Sequence, residues 1–390
     1  MEAALDQIQI ELVGPEGRAK AISLREMGII PASRVIFTAA HSYGRKKTWP
    51  LTYIERVKLS REGALIPFSY YLDEGLLAWG LGELENTFSL DPVNAFFKVS
   101  YARGEARAGL VPEINGYRIN KDKFLTELQR VLDDPRTPFT VMVPGEIISP
   151  DITVSFLKEK GIEGLISSCS TRFDPANTDR VHNIKLAAGI IHNYFLAPGK
   201  TFSLNNLIGD TTPEKGYREA FVIIGEELVP GFGGGLCQVS TTLYNAALLA
   251  GLEILERHNH HMTIPYIAPG RDATMVYGVK DLKFRNNRDH YILITTAVGP
   301  DTLRFSLFGT PPEEKVIINT KILAVFDPPL KYEYTPELLR GEEEIIAGSP
   351  GYLVEVWQYV YRGERRVGEK RISLDSYTPH PTLVRRGVNH

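Results

Sequence analysis

The pattern of apolar and polar positions divides the chain in three. Up to about Lys160, short alternating runs at 8–12, 37–38 and 95–100 predict strands. Two stretches depart from alternation. Residues 23–28 read as a capped turn of helix with Gly28 as its stop. Residues 120–132 place Phe124, Leu125, Leu128, Val131 and Leu132 on one helical face, with Asn120 as N-cap and Asp133-Asp134-Pro135 as the end. Between them, 40–47 reads as a basic solvated loop carrying His41, Lys46 and Lys47.

The middle third mixes both periods. A strand at 164–168 and a polar loop at 173–179 precede a helix over 180–195. That helix is capped by Thr178 or Asp179 and buries Ile184, Ala188, Ile191 and Phe195. Strands follow at 200–204 and 220–224, and a hairpin-like link at 225–228 leads into a glycine run. A helix over 238–250, with Val239, Leu243, Ala247 and Ala250 at helical spacing, stops at Gly251. Further strands are expected at 252–256, 275–279, 281–284, 291–296 and 303–308, and 309–312 is a linker. From about Val316 only strands and turns remain, punctuated by glycines, with 362–364 as a hairpin turn. The expectation is a multi-domain α+β chain: an α+β domain at 1–160, a mixed α+β domain at 165–310 and a small all-β domain at 316–390.

Composition adds exclusions. The 390 residues, 43% hydrophobic and 23% charged with net charge −3, suit a water-soluble globular chain of several domains. No basic patch supports a nucleic-acid partner. No apolar run is long enough to span a membrane, and no signal segment is visible. The chain meets its first strand almost at once, which reads as a domain without its natural N-terminus. A membrane anchor therefore enters only if that native terminus is missing here.

Cys169 and Cys237 are the only cysteines, too few for a disulfide framework. Cys169 reads as a small half-buried strand residue. Cys237 follows Gly233-Gly234-Gly235-Leu236 and falls at the start of a helix. There, free N–H groups and the macrodipole favour a thiolate. The glycine run lacks the Gly-Lys-Ser/Thr of a P-loop. A base is available among His258, His260 and His261, with Asp272 as a carboxylate to orient it. The N–H groups of Gly235, Leu236 and Cys237 are candidate oxyanion donors. The reaction class would be acyl transfer through a thioester. Against this stand a structural Cys237, a metal site of Cys237 with two histidines that no second cysteine or HExxH pair supports, surface histidines, and Asp272 as a turn cap. No cofactor or metal is expected.

Several of these pieces together resemble the VanW domain. They are Ser170-Thr171, Arg180-Val181-His182-Asn183-Ile184, Pro198-Gly199-Lys200-Thr201-Phe202-Ser203, Gly216-Tyr217, the run from Gly233 to Tyr244, Glu256-Arg257, His260 and Asp272-Ala273-Thr274. Val111-Pro112-Glu113-Ile114-Asn115-Gly116-Tyr117 and the helix after it resemble the peptidoglycan-binding domain that often precedes VanW and L,D-transpeptidase domains. Gly341, Gly348, Gly351, Gly363 and Gly387 are similar to those of the five-glycine (G5) domain.

The resemblance implies an exported protein at the bacterial cell wall, with stem peptides and glycan strands of peptidoglycan as partners. It implies a cysteine acyltransferase, most concretely an L,D-transpeptidase making 3-3 cross-links. The alternatives are a non-catalytic scaffold or accessory protein of glycopeptide resistance, and a cysteine peptidase on the same stems. Carried over, Cys237 is the nucleophile and His260 the base, with Asp272 and Arg257 in support. Gly233, Gly234, Gly235, Leu236, Gln238 and Ser240 would form the oxyanion and substrate-binding surface. The Ser-His-Gly-Cys motif of the better-known L,D-transpeptidase fold is absent, so that fold's residue assignments do not transfer.

Overall fold

The structure is a computed structural model that describes residues 8–43, 45, 51–64, 66, 68–102, 105–134, 139–224 and 227–389. Lys46, Lys47, Pro135 and the Gly225-Glu226 start of the hairpin link lie outside the described residues. Contacts group the chain into two units: residues 1–96 with 111–154, and 97–110 with 155–390.

In the first unit the alternation at its start becomes the strand Gln9–Val13, with Ile10 and Leu12 turned inward. It pairs antiparallel with Ala19–Ser23 and parallel with Thr140–Met142. The amphipathic helix Lys121–Asp133 adds Phe124, Leu128, Val131 and Leu132 to that core, and the Asn120 side chain accepts from Lys123 N–H at its start. Three further helices, Ser33–Ser42, Leu51–Glu62 and Glu74–Phe88, stand where the pattern suggested mostly strands and loop. Phe37, Thr38 and His41 all lie in the first of these, because a two-residue alternation is too short to set a period. Asp73 caps the third by accepting from Leu76 N–H at 2.9 Å. Residues 23–28 close the Ser23–Glu26 box but form a turn only, with Gly28 at φ +72°.

The second unit is built around the helix Leu236–Leu249. An antiparallel sheet of Gly164–Arg172, Thr302–Gly309, Ile292–Val298 and Tyr194–Leu196, in that order, shares one core with it and with the helix Thr178–Ile191. A smaller sheet of Thr201–Ser203, Lys283–Arg285 and Glu253–Glu256 adds Phe202 and Phe284, which stack at 4.8 Å. The helix Leu236–Leu249 is buried on nearly every side, including Gln238, Ser240, Thr241, Thr242 and Asn245. Most of these polar side chains find internal partners: Thr242 with Thr171 and the Gln238 carbonyl, and Asn245 with the Thr241 and Arg271 carbonyls.

Some boundaries differ from the sequence pattern. Asn177, not Thr178 or Asp179, caps Thr178–Ile191, accepting from Arg180 N–H. Phe195 leaves that helix for a strand. Residues 275–279 form a tight turn closed by the Val276–Lys280 bridge, because Gly278 at φ +71° reverses the chain. Beyond the linker, Gly351–Arg362 pairs with Glu314–Phe326 and Arg365–Tyr377. A second sheet sets Thr382–Asn389 between Leu330–Leu339 and Glu343–Ile346. Ile318 and Ile372 of this C-terminal β module pack against the unit's central core.

Candidate functional site

The hairpin Glu219–Ile224/Glu227–Phe232 runs directly into the glycine turn before the buried helix. Gly233 and Gly235 hold φ of +84° and +108°, conformations that a side chain would strain. Gly234 packs so tightly that a Cβ there would lie 2.7 Å from Ala220 Cβ and from the Phe221 carbonyl oxygen. The turn thus fixes the first helical turn, whose second residue is Cys237. Leu236 N–H is spent on the Gly233 carbonyl and Gln238 N–H on that of Gly235. The N–H groups of Gly235 and Cys237 have no acceptor among the described residues. Of the three candidate oxyanion donors, Leu236 is therefore already engaged.

The histidines come from the end of strand Glu253–Glu256. A single antiparallel bridge between His258 and Thr274, with Thr274 N–H donating to the His258 carbonyl at 2.8 Å, lays 257–260 beside 272–274. Alternation then turns His260 inward. Its Nδ1 and its backbone N–H both meet Asp272 Oδ2 at 2.6 Å. His260 and Asp272 are 4% and 1% exposed. Arg257 Nη2 donates to Asp272 Oδ1 at 3.0 Å, and Arg257 Nε to the Asp272 carbonyl at 2.6 Å. His258 pairs instead with Glu256, and His261 backs onto Thr378. The three histidines do not converge, so Cys237 has one imidazole beside it and the geometry does not assemble a metal site from two.

Cys237 is half-buried, with Sγ 3.4 Å from Thr274 Oγ1 and 3.8 Å from the Met275 carbonyl oxygen. His260 Nε2 is buried and closes no hydrogen bond of standard geometry, yet it is close enough to couple to the thiol. Burial resists the Cys237 thiolate. The neighbouring His260 imidazole and its charge, then the Met275 backbone and the Thr274 hydroxyl, outweigh it and hold the thiol below its ordinary range. Burial also resists the imidazolium, but Asp272 and Cys237 push His260 up to about 9. Asp272 is held low despite burial by His260 and Arg257. These shifts move the pair towards a thiolate and an imidazolium, backed by a carboxylate.

This state has a measurable signature. The iodoacetamide rate of Cys237 should stay high well below pH 8.5, the region where an ordinary thiol of pKa roughly 8.5 loses its thiolate. In His260→Ala burial is opposed only by the weaker Met275 and Thr274 contacts, the thiol rises, and the rate at pH 7 should fall about tenfold or more, each pKa unit counting about tenfold. Superimposable pH profiles for the two proteins would contradict this electrostatic picture.

The remaining candidate residues are placed as follows. Gly233, Gly234 and Gly235 form the turn itself. Gln238 and Ser240 lie under the site rather than on it, both fully buried. The Gln238 amide is consumed by Thr171, the Arg172 carbonyl and Arg180, so its side chain is a pin between elements and presents no surface to a substrate. Sequence reasoning passed over Thr274 and Arg180, both inside quoted motifs, and Tyr266. Burial and the nearby Cys237 charge both raise the Tyr266 phenol, while burial lowers Arg180 against the charges of Tyr266 and Cys237. It also missed Tyr377 and Asp375 of the C-terminal module, which reach Asp272 and Arg257.

Residues 179–308, which contain this whole cluster except the C-terminal contacts, match the family model described as "VanW like protein". Over 240 residues the chain is 35% identical to "Uncharacterized protein YoaR" of Bacillus subtilis (strain 168), covering 62% of this chain and 75% of that protein. The chain belongs to the VanW-like family. A second VanW-like relative is "Vancomycin B-type resistance protein VanW" of Enterococcus faecalis (strain ATCC 700802 / V583), 29% identical over 180 residues, or 43% of this chain and 65% of that protein. In this VanW-like protein residues 21–138 match a second model, described as "Putative peptidoglycan binding domain". The two matches make it a cell-wall-associated protein. Among solved structures it is similar to the G5 domain of an IgA1 protease, at 18% identity and a TM-score of 0.15 over 21% of this chain and all of that one. It is also similar to the G5 domain of HP0197, at 16% identity and a TM-score of 0.13 over 20% of this chain and all of that one. Among the described residues no helix is long and apolar enough to cross a membrane.

Proposed function

We propose that this protein is a cysteine acyltransferase of the bacterial cell wall, most concretely an L,D-transpeptidase that forms 3-3 cross-links between peptidoglycan stems outside the cell. The observation that carries the reading is the buried line from Asp272 through His260 to Cys237, a helix-start thiol with its imidazole and carboxylate. The match of residues 21–138 to a peptidoglycan-binding model supports the choice of substrate.

In the reaction the Cys237 thiolate attacks the carbonyl carbon of a stem-peptide amide. The carbonyl π pair moves onto oxygen, where the Gly235 and Cys237 N–H groups stabilise it. As the tetrahedral centre collapses, the C–N bond breaks and the His260 imidazolium gives its proton to the leaving amine. A thioester remains on Sγ. The side-chain amine of a second stem then attacks the thioester carbonyl, and neutral His260 takes the amine proton. The C–S bond breaks, and the thiolate–imidazolium pair returns with one new amide formed.

The test is turnover of disaccharide-tetrapeptide monomers, with products separated and weighed by mass spectrometry. The proposal expects 3-3 dimers together with one released terminal amino acid per dimer. Trimmed monomers without dimers would mean that water is the acceptor and the protein is a peptidase. Unchanged monomers would leave a wall-binding accessory protein.

A further inference from the structure

The final strand of the three-stranded C-terminal sheet, Arg365–Tyr377, ends against the candidate site. Its residues 373, 375 and 377 share one face, as the period of a strand requires, and that face is turned to the Arg257–Asp272 pair. Tyr377 is 1% exposed, and its hydroxyl makes two contacts: Gly270 N–H at 2.7 Å and Asp272 Oδ1 at 2.5 Å. An amide N–H can only donate, so the phenol oxygen accepts there and its single proton goes to the carboxylate. Asp375 takes Arg257 Nη1 on both oxygens at 2.7 Å and is itself held by Ser373 Oγ at 2.8 Å. Two further ties flank these contacts: the Asn259 side-chain amide donates to the Ser376 carbonyl at 3.1 Å, and Thr378 N–H to the His261 carbonyl at 2.8 Å. Both segments that build the site, 257–261 and 270–272, are thus fastened to this one strand end. The approach is close enough that a Cβ on Gly270 would lie 2.6 Å from Val356 Cγ2.

We propose that the C-terminal β module is a working part of the candidate active site, and that Tyr377 is the positioning residue that holds the Asp272 carboxylate in line with His260. Asp272 Oδ2 is fully engaged by His260. Whether the carboxylate can pivot therefore depends on what grips Oδ1, and the two groups doing so are Arg257 and Tyr377. Arg257 is in turn oriented by Asp375 of the same strand. Removing the Tyr377 hydroxyl deletes one grip on Oδ1 and leaves the buried Gly270 N–H without its acceptor, which loosens the loop that carries Asp272. Tyr377 touches no reacting atom; its effect reaches Cys237 only through Asp272 and His260.

This inference rests on the reading of Cys237, His260 and Asp272 as an activated set, and the test separates the two. The full chain is compared with Tyr377→Phe, Asp375→Asn and, as a control on an exposed strand position of the same module, Tyr332→Phe. The readout is the Cys237 thiol pKa, from the pH dependence of its iodoacetamide rate, with circular dichroism as the fold check. Tyr377→Phe should raise the thiol pKa by about half to one unit, a loss of about three- to tenfold in rate at pH 7. Asp375→Asn should shift it in the same direction by less, and it keeps the idea testable should the Phe variant lose structure. Tyr332→Phe should follow the wild-type profile. An ordinary thiol pKa in the wild type overturns the active-site reading and this inference with it. A depressed wild-type pKa that both Tyr377→Phe and Asp375→Asn retain overturns the inference alone.

Discussion

Replacing Cys237 with alanine should abolish both dimer formation and any covalent intermediate while leaving the protein folded. The expected loss of turnover is on the order of 10⁴–10⁶-fold, the scale at which removal of a nucleophile leaves only binding and oxyanion contributions. The fold should survive because the substitution removes one half-buried sulfur and keeps the Cβ at the helix start. The glycine turn, its positive φ angles and the packing of Gly234 against the hairpin do not involve Sγ. Cys169→Ala is the matched comparison. Cys169 lies in the strand Gly164–Arg172, burial raises its thiol, and its loss should leave turnover unchanged. Equal activity of wild type and Cys237→Ala on the same monomers would remove Cys237 from the chemistry.

Asp272→Ala should have the other large effect, on stability and activity together. The carboxylate accepts four hydrogen bonds, from His260 N–H, His260 Nδ1, Arg257 and Tyr377. Removing one partner of a buried ion pair costs about 3–5 kcal/mol, because the other charge is left uncompensated. Arg257 keeps Asp375 as a partner, so the lower end of that range applies to it, whereas His260 loses its one carboxylate contact among the described residues. Asp272→Asn preserves shape but presents an N–H₂ or a weaker acceptor to Nδ1. It should cost less stability and still lower turnover by a factor on the order of 10³–10⁴ through the wrong tautomer.

The pH dependence of stability follows with a definite sign. His260 is raised to about 9 in the folded protein. Its contribution is complete below its unfolded value of roughly 6.5 and is lost as pH climbs through about 9. Asp272 is depressed, so its contribution is present above roughly 3.9 and is lost as pH falls through the folded value. The difference in melting temperature between wild type and Asp272→Ala should therefore be widest between about pH 5 and 7 and narrow on both sides. A difference that is flat across this range would contradict the coupling.

Local features of the chain carried much of this. The alternation at 8–12, the one-sided face of 120–132 and the Asn120 cap are short-range signals, and they appear as the strand Gln9–Val13 and the capped helix Lys121–Asp133. The helix Leu51–Glu62 was illegible because it buries nothing. Glu74–Phe88 does turn Leu77, Leu81, Leu84 and Phe88 to the core, but Gly75, Gly80 and Gly82 within it weaken the helical signal. Cys237 was legible because a glycine turn and a helix start are contiguous in sequence. Residue chemistry alone left His258, His260 and His261 equivalent. What separates them is a single bridge between His258 and Thr274 that sets which side chain faces Asp272. Gln238 and Ser240 are fully buried for a related reason: a helix buried on nearly every side leaves little outward face for its polar residues, and spacing cannot reveal that. Tyr377 and Asp375 gave no signal at all, since they lie 105 and 118 residues from the groups they hold.

The most direct measurement is the intact mass of the protein, quenched at short times after mixing with disaccharide-tetrapeptide monomers and mapped by peptide digestion. A nucleophilic Cys237 predicts a mass increase equal to the donor stem less its terminal amino acid, located on the peptide containing Cys237 and discharged when acceptor is added. No adduct on Cys237 under conditions in which cross-linked product accumulates would contradict the account at its centre.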